Sequence, residues 1–484
     1  MSGEAMSEHH RLIILGAGTA GLVAYKEATR HTDDILLIDP GPLGTTCARV
    51  GCMPSKVLLQ VAKEFHTGQR LARRKLTRDA PPTPDGAAVM QHVRRLRDNF
   101  ASGSINLVEN LGERYLKGRP RFVSPDTLEV DDRQIRTDAI VIATGTRPVV
   151  PEPWQALGDR LITSDTIFEL DNLPKRMAVV GLGAIGTELG QALAWLGVEV
   201  HAFGRDNRLV GLDDDTVNDA ALETLGQVMT LHTGHDVELE TGGNGVVLNF
   251  GEQQFEFDAL LAAVGRRPNV EDLNLAALSL PLQDNGLPEI DPQRLRAGET
   301  PVYFAGDVNG LRPLMHEAAD EGRIAVYHAL HPEADCLQRR TALGIVFTEP
   351  QIAQVGTPFG ELPDDALIGE ADFGSQGRAV ILDQDHGLLR VYADATGQLI
   401  GAQMAIPGAE HIAHELAWLV QQKIHVETAL QLPYYHPVLE EGLRSALQGI
   451  RRQLNADRRH PDLPLCGEED DPLAGAVVPP GARG

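Results

Sequence analysis

Cys47 and Cys52 share the run Gly44-Thr45-Thr46-Cys47-Ala48-Arg49-Val50-Gly51-Cys52-Met53-Pro54-Ser55-Lys56, two thiols with four residues between them. That spacing brings two sulfurs within reach where the chain sits at a distorted helix start, since disulfide formation needs Cα atoms roughly 4.4 to 6.8 Å apart. Three chemistries fit: reversible thiol–disulfide exchange, half of a zinc site, or inert packing. Zinc requires a second Cys or His pair at ligand spacing, and the remaining cysteines, Cys336 and Cys466, are remote and single. Exchange is the leading reading. A thiol couple also needs a proton carrier, because the thiolate is the nucleophile and each exchange step takes up or releases a proton. His436 stands in Pro433-Tyr434-Tyr435-His436-Pro437-Val438-Leu439-Glu440-Glu441 and titrates in the right range. A carboxylate on its far ring nitrogen, Glu441 or Glu440, would fix its tautomer and raise its basicity. On its own, a His-Pro pair is more often a surface turn.

Two glycine-rich loops must position this chemistry. The apolar strand Leu12 to Leu15 runs into Gly16-Ala17-Gly18-Thr19-Ala20-Gly21 and then an alanine-rich helical stretch. In such a strand–loop–helix unit, Gly16 permits the tight turn, Gly18 lets backbone approach a pyrophosphate, and Gly21 allows helix-to-strand packing. A second apolar run ends at Asp39, where a ribose hydroxyl is normally accepted. The pattern returns at Met177 to Val180 followed by Gly181-Leu182-Gly183-Ala184-Ile185-Gly186, with a helix ended by Gly197. Its following strand closes on Gly204-Arg205-Asp206-Asn207-Arg208 in place of an acid. An acid would repel a 2′-phosphate, whereas arginine pairs with one, so Arg205 and Arg208 lean the site towards NADP(H) over NAD. The alternative is that both are solvated loop residues.

Whole-chain properties bound the partners. The 484 residues allow about three domains. A net charge of -25 disfavours nucleic acid and anionic membranes. No apolar stretch approaches the ~20 residues of a membrane helix. Four cysteines and a polar start without a signal-peptide core point to a reducing cytoplasm.

Further segments carry a specific resemblance. Ile140-Val141-Ile142-Ala143-Thr144-Gly145, Ala262-Ala263-Val264-Gly265-Arg266-Arg267-Pro268-Asn269, Thr300-Pro301-Val302-Tyr303-Phe304-Ala305-Gly306-Asp307 and Thr341 to Gly356 follow the two loops and the cysteine run. Together they resemble the class I pyridine nucleotide-disulfide oxidoreductases over nearly the whole chain. The resemblance implies an α/β fold: two Rossmann-like doubly wound domains, for FAD and NAD(P), plus a C-terminal α+β dimerisation domain. It places the FAD domain at 10–152 and 269–340, the NAD(P) domain at 153–268 and the dimerisation domain at 341–455, while a composition rich in proline, acids and glycine makes 456–484 read as a mobile tail. It makes Gly16, Gly18, Gly21, Asp39, Ala143, Thr144, Gly145 and Asp307 FAD contacts, with Asp307 on the ribityl chain. Gly181, Gly183, Gly186 and Gly265 fall to the nicotinamide coenzyme.

The same resemblance implies that Cys52 faces the flavin as the charge-transfer thiolate and Cys47 meets the substrate sulfur. Lys56 and Glu188 match the lysine and glutamate beside the flavin, with a solvated lysine and a helix-surface acid as the plainer readings. His436 and Glu441 match a proton-transfer dyad supplied from the partner subunit of a homodimer. Met53-Pro54-Ser55-Lys56 and the stretch from Leu314 to Gly322 look most like dihydrolipoamide dehydrogenase, with a lipoyl domain or other small dithiol as substrate. The chain departs from that pattern at Thr45, Arg49, Tyr434 and Gly204-Arg205, and Arg49 is either a lure for an anionic substrate or a helix-surface charge. Other activities stay open: a glutathione-reductase-like or other NADPH-dependent disulfide reductase, a mercuric-reductase-like or quinone-reducing flavoprotein, and a lipoyl-carrier-binding component with incidental catalysis. Mercuric reduction is disfavoured because Cys466 has no adjacent cysteine.

Overall fold

The computed structural model describes residues 8–78, 80–240 and 245–454, together with Leu463. Residues 241–244, Asp79, Cys466 and, Leu463 apart, the expected tail at 456–484 lie outside the described residues.

Continuous apolar runs become strands covered on both faces, as parallel sheets require. Leu12 to Leu15 and Ile140 to Ile142 are fully buried. Their strands, Glu8–Leu15 and Arg133–Ile142, pair in parallel with Leu15 opposite Ile142. Ile35–Asp39 flanks the first, and Val302–Phe304 lies parallel against the end of the second. All these strand ends therefore gather at one edge, where Gly16, Asp39, Ala143 and Asp307 follow. Helix Thr19–Ala28 and helix Met315–Leu330 cover one face, with Ala20, Ala24 and Ala28 packed among Ala318, Ile324 and Ala325. Their close approach depends on Gly322, where a Cβ would lie 2.5 Å from the carbonyl oxygen of Ala20.

A second parallel sheet orders Thr230–Thr233, Glu199–Gly204, Arg176–Val180, Ala259–Ala262 and Leu161–Thr163. Helix Ala184–Trp195 connects two of its strands. An antiparallel sheet of Val237–Glu240, Val246–Phe250 and Gln253–Phe257 packs Phe250 and Phe257 against Phe203. The ribbon Thr146–Pro148 against Arg266–Pro268 joins the two parallel sheets. The fold is thus α/β, with two Rossmann-like units.

The chain divides into two compact units, Met1–Arg340 with Gly344–Ile352, and Thr341–Leu343 with Ala353–Gly484. The second is α+β. Leu367–Asp372, Leu388–Ala393 and Leu399–Ile406 form antiparallel pairs, and helix Glu441–Gln453 lies against the first of these strands. Gly369 makes that contact possible, since a Cβ there would stand 2.0 Å from the carbonyl oxygen of Ala446. No helix among the described residues is long and apolar enough to cross a membrane.

Candidate functional site

The cysteine run folds as two helical pieces with a break between them. Thr45 caps the first, Thr46–Arg49, its hydroxyl accepting from Ala48 N at 3.2 Å. Threonine at this position thus has a local role. The chain then turns at Gly51, where a Cβ would come within 3.0 Å of Cys47 Cα, and restarts as Cys52–Arg73. The break brings the two thiols together as a hydrogen-bonded dithiol, Cys47 half-buried and Cys52 exposed. The pair is electrostatically split. The hydrogen bond from Cys47, with help from Lys56, holds the Cys52 thiol down to about 6 against burial. The same hydrogen bond, then burial, push Cys47 up. The surroundings thus favour the thiolate at Cys52 over Cys47.

Lys56, one turn beyond Cys52, pairs with Glu188 at 2.6 Å. Glu188 is 7% exposed at its side chain, and its other oxygen accepts from Phe347 N at 2.9 Å. The Phe347 ring lies 4.8 Å from Lys56 Nζ, so the lysine is held between carboxylate and aromatic face. Neither Lys56 nor Glu188 is the solvated surface charge of the plainer reading. Arg49 is half-buried, and its Nε is enclosed without a hydrogen-bond partner.

The first glycine loop has the geometry its sequence demands. Gly16 sits at φ +106°, and a Cβ there would stand 2.4 Å from Ala143 O; one at Gly21 would stand 1.8 Å from Gly16 O. Gly18 faces open space, its nearest neighbour being Ala143 O at 3.9 Å. Asp39 is tied to the loop, its carboxylate accepting from Ala17 N at 2.7 Å and Gly41 N at 2.6 Å. Ala143, Thr144 and Gly145 follow the central strand, with Ala143 N donating to Leu15 O at 2.7 Å. Asn269 ties down the next two through Thr144 O and Gly145 O.

Asp307 stands at the sheet edge after Gly306. Burial pushes its carboxyl up, opposed by Arg266 and by the Thr146 hydroxyl at 3.4 Å. The backbone carrying it is gripped by Glu321, which is fully buried and accepts from Gly306 N, Asn309 Nδ2 and Arg339 Nη2, each at 2.7 Å. Sequence reading missed Glu321, Arg339, Thr146 and Arg266 as supports. Arg266 and Glu321 stood in segments already singled out, for their resemblance and not for this role.

The second loop repeats the first: Gly181 lies at φ +108° against Ala263 O, Gly186 against Gly181 O, and Gly183 opens to free space. Gly265 also has positive φ, +113°, at the exit from that sheet. The two arginines differ. Arg208 is engaged with Leu212 O at 2.7 Å and Asp215 Oδ1 at 3.0 Å, whereas exposed Arg205 has no side-chain hydrogen bond or ion pair among the described residues.

In the second unit, His436 Nδ1 lies 3.0 and 3.1 Å from the two oxygens of Glu441, the first residue of helix Glu441–Gln453. Val438 N donates to the same carboxylate at 3.2 Å. Those hydrogen bonds hold Glu441 below the usual carboxylate range. With Nδ1–H directed at Glu441, the Nε2 lone pair of the exposed ring is left for a proton. Glu440, the alternative acid, is the cap residue of the helix.

Residues 10–322 match the pyridine nucleotide-disulphide oxidoreductase family, and residues 343–447 match its dimerisation domain. The chain belongs to this family, in its class I branch. It is 29% identical over 91% of its length to dihydrolipoyl dehydrogenase 2 of Haloarcula marismortui, covering 96% of that protein. It is 30% identical over 90% of its length to a mercuric reductase of Staphylococcus aureus, covering 81% of it. Among solved structures, LpdA from Mycobacterium tuberculosis matches with a TM-score of 0.79 and 26% identity, over 92% of this chain and all of the other. The chain is therefore an FAD-dependent disulfide oxidoreductase that uses a pyridine nucleotide, with a domain built for homodimers. The residues present fit a flavin nucleotide: the open face at Gly18, the acids Asp39 and Asp307 at the strand ends, and the buried Thr144 hydroxyl with no hydrogen-bond partner.

Proposed function

We propose that this protein is a dihydrolipoamide dehydrogenase, passing electrons between the lipoyl group of a carrier domain and NAD(P) in the cytoplasm. The observation that carries the reading is the helix break at Gly51 that sets Cys47 against Cys52, the latter at the head of the helix whose Lys56 is anchored by Glu188. FAD, held by Gly16, Gly18, Gly21, Asp39, Ala143, Thr144, Gly145 and Asp307, supplies the two-electron link between nicotinamide and the cysteine pair. The chain's own residues do the sulfur chemistry. When a disulfide is reduced, Cys47 gives its proton to His436 of the partner subunit and attacks one substrate sulfur, forming a mixed disulfide and releasing the other sulfur as a thiolate that takes that proton. The Cys52 thiolate then attacks Cys47, closing the Cys47–Cys52 disulfide and releasing the second substrate sulfur as a thiolate, which takes a proton from solvent through His436 because the Cys52 thiolate has none to give. Two electrons leave the dithiol, and two protons end on the substrate, one from Cys47 and one from solvent. Lipoamide formation is the reverse, with His436 taking protons from dihydrolipoamide. Glu441 keeps the imidazole in the accepting tautomer, and Lys56, fixed by Glu188, provides a cation beside the flavin.

The domain limits proposed are those of the sequence: FAD at 10–152 and 269–340, NAD(P) at 153–268, and dimerisation at 341–455. The coenzyme reading rests on Arg205 alone, because Arg208 is committed to its own loop. A steady-state comparison of NADH and NADPH against lipoamide, glutathione disulfide and a quinone tests the assignment. Lipoamide should be the fastest acceptor, and lipoamide turnover at background would overturn it. The mercuric reductase relative makes Hg(II) a useful fourth acceptor, expected to be slow because no second cysteine adjoins Cys466.

A further inference from the structure

The ribbon joining the two parallel sheets is held by one side chain that reaches both ways. Arg266, only 19% exposed at its side chain, donates from Nε to the Thr146 hydroxyl and from Nη2 to Thr146 O, each at 2.9 Å. The Thr146 hydroxyl in turn reaches Asp307 Oδ2 at 3.4 Å. In the opposite direction, Arg266 Nη1 donates to Ser164 Oγ at 3.1 Å and faces Asp165 Oδ1 at 3.8 Å. Ser164 follows the edge strand Leu161–Thr163, which pairs with Ala259–Ala262 of the second sheet. A planar guanidinium offers donors in a rigid fork, so one arginine can fix two elements at once. A lysine cannot.

We propose that Arg266 is a positioning residue serving both nucleotides: through Thr146 it holds the Asp307 carboxylate for the flavin nucleotide, and through Ser164 it fixes the edge of the nicotinamide-binding sheet. The inference rests on the reading of Asp307 as a flavin contact. It is more than mechanical. Burial opposes ionisation of Asp307, and the charge and hydrogen bonds that counter it come from Arg266 and Thr146. The other charged groups nearby are Asp165, on the far side of Arg266, and the Glu321–Arg339 pair, bound to Gly306 and Asn309. Removing Arg266 should therefore weaken flavin binding in a pH-dependent way, which loss of packing would not do.

The test is FAD titration of the full-length apoprotein, with the NAD(P)H KM for dye reduction read at saturating FAD. Arg266→Met should raise the FAD Kd about ten-fold, the worth of a lost hydrogen bond to a charged group. It should also raise the NAD(P)H KM, and its FAD defect should grow as pH falls, because burial already opposes ionisation of Asp307. Thr146→Val should weaken FAD about as much while leaving the KM unchanged. Arg266→Lys should retain FAD affinity and still raise the KM. If Asp307→Asn weakens FAD binding but Arg266→Met and Thr146→Val do not, the proposal fails and the reading of Asp307 stands. If Asp307→Asn itself has no effect, that reading fails as well. Should Arg266→Met not fold, Thr146→Val decides alone: unchanged FAD affinity overturns the proposal.

Discussion

Replacing Cys47 by alanine should raise the pKa of its neighbour. In the structure the Cys52 thiol sits at about 6, and the largest cause is the hydrogen bond it receives from Cys47; Lys56 assists, and burial opposes both. A hydrogen bond to a charged group contributes roughly 1.5 to 3 kcal/mol, less for a weak S–H donor, and each 1.36 kcal/mol is one pKa unit. Cys47→Ala should therefore move Cys52 from about 6 to about 7 or 8. Cys47→Ser keeps an O–H donor and should leave it near its starting value. Lys56→Met should raise it by less than Cys47→Ala does. The assay is the pH dependence of Cys52 alkylation in the reduced protein, with the peptide carrying the label identified by mass. If Cys47→Ala leaves the titration where it was, the hydrogen bond is not what makes Cys52 the thiolate, and the division of labour between the two cysteines fails with it.

Arg205→Ala should raise the KM for NADPH and leave that for NADH nearly unchanged; equal effects on both would remove the 2′-phosphate reading. Lys56→Met leaves the buried Glu188 carboxylate with only the Phe347 N–H, and breaking such a pair costs roughly 3 to 5 kcal/mol when fully buried, about half that here because the lysine is a third exposed. Lys56→Met with Glu188→Leu should recover much of the loss in a chemical-denaturation cycle, and an additive pair would mean the two charges are uncoupled. His328 is 1% exposed with neither ring nitrogen hydrogen-bonded, and burial holds its pKa below the usual value. The unfolded chain therefore binds a proton there first, so stability is lost as pH falls through the ordinary histidine range near about 6.5. His328→Leu should flatten the fall of Tm between pH 7 and pH 5, and an unchanged slope would show that another group controls it.

Much of this was legible in the residues. Gly16, Gly21, Gly181 and Gly186 sit where their contacts admit no side chain, and spacing alone identifies such positions. The cysteine spacing announced a broken helix, because no regular turn brings residues five apart face to face. His436 and Glu441 are close in sequence, so their pairing needed only a helix start between them. The supports of Asp307 were not legible. Thr146 and Asp307 are separated by 161 residues, and Arg266 stands 120 from Thr146, so only the sheet topology joins them. Glu321 stood within a stretch notable only for its resemblance, and its partners, Gly306, Asn309 and Arg339, are brought to it by a loop and a connecting segment without periodicity. Likewise, nothing local to Arg208 foretold that it would be spent on Leu212 and Asp215.

The central claim is that Cys47 and Cys52 are the pair through which electrons pass. Air-oxidised holoprotein, given one equivalent of NAD(P)H without oxygen and then alkylated, measures this directly by peptide mass. The account predicts two newly labelled thiols per chain, at Cys47 and Cys52, with Cys336 labelled alike before and after. Coenzyme oxidation with no gain of label at those two positions would contradict it.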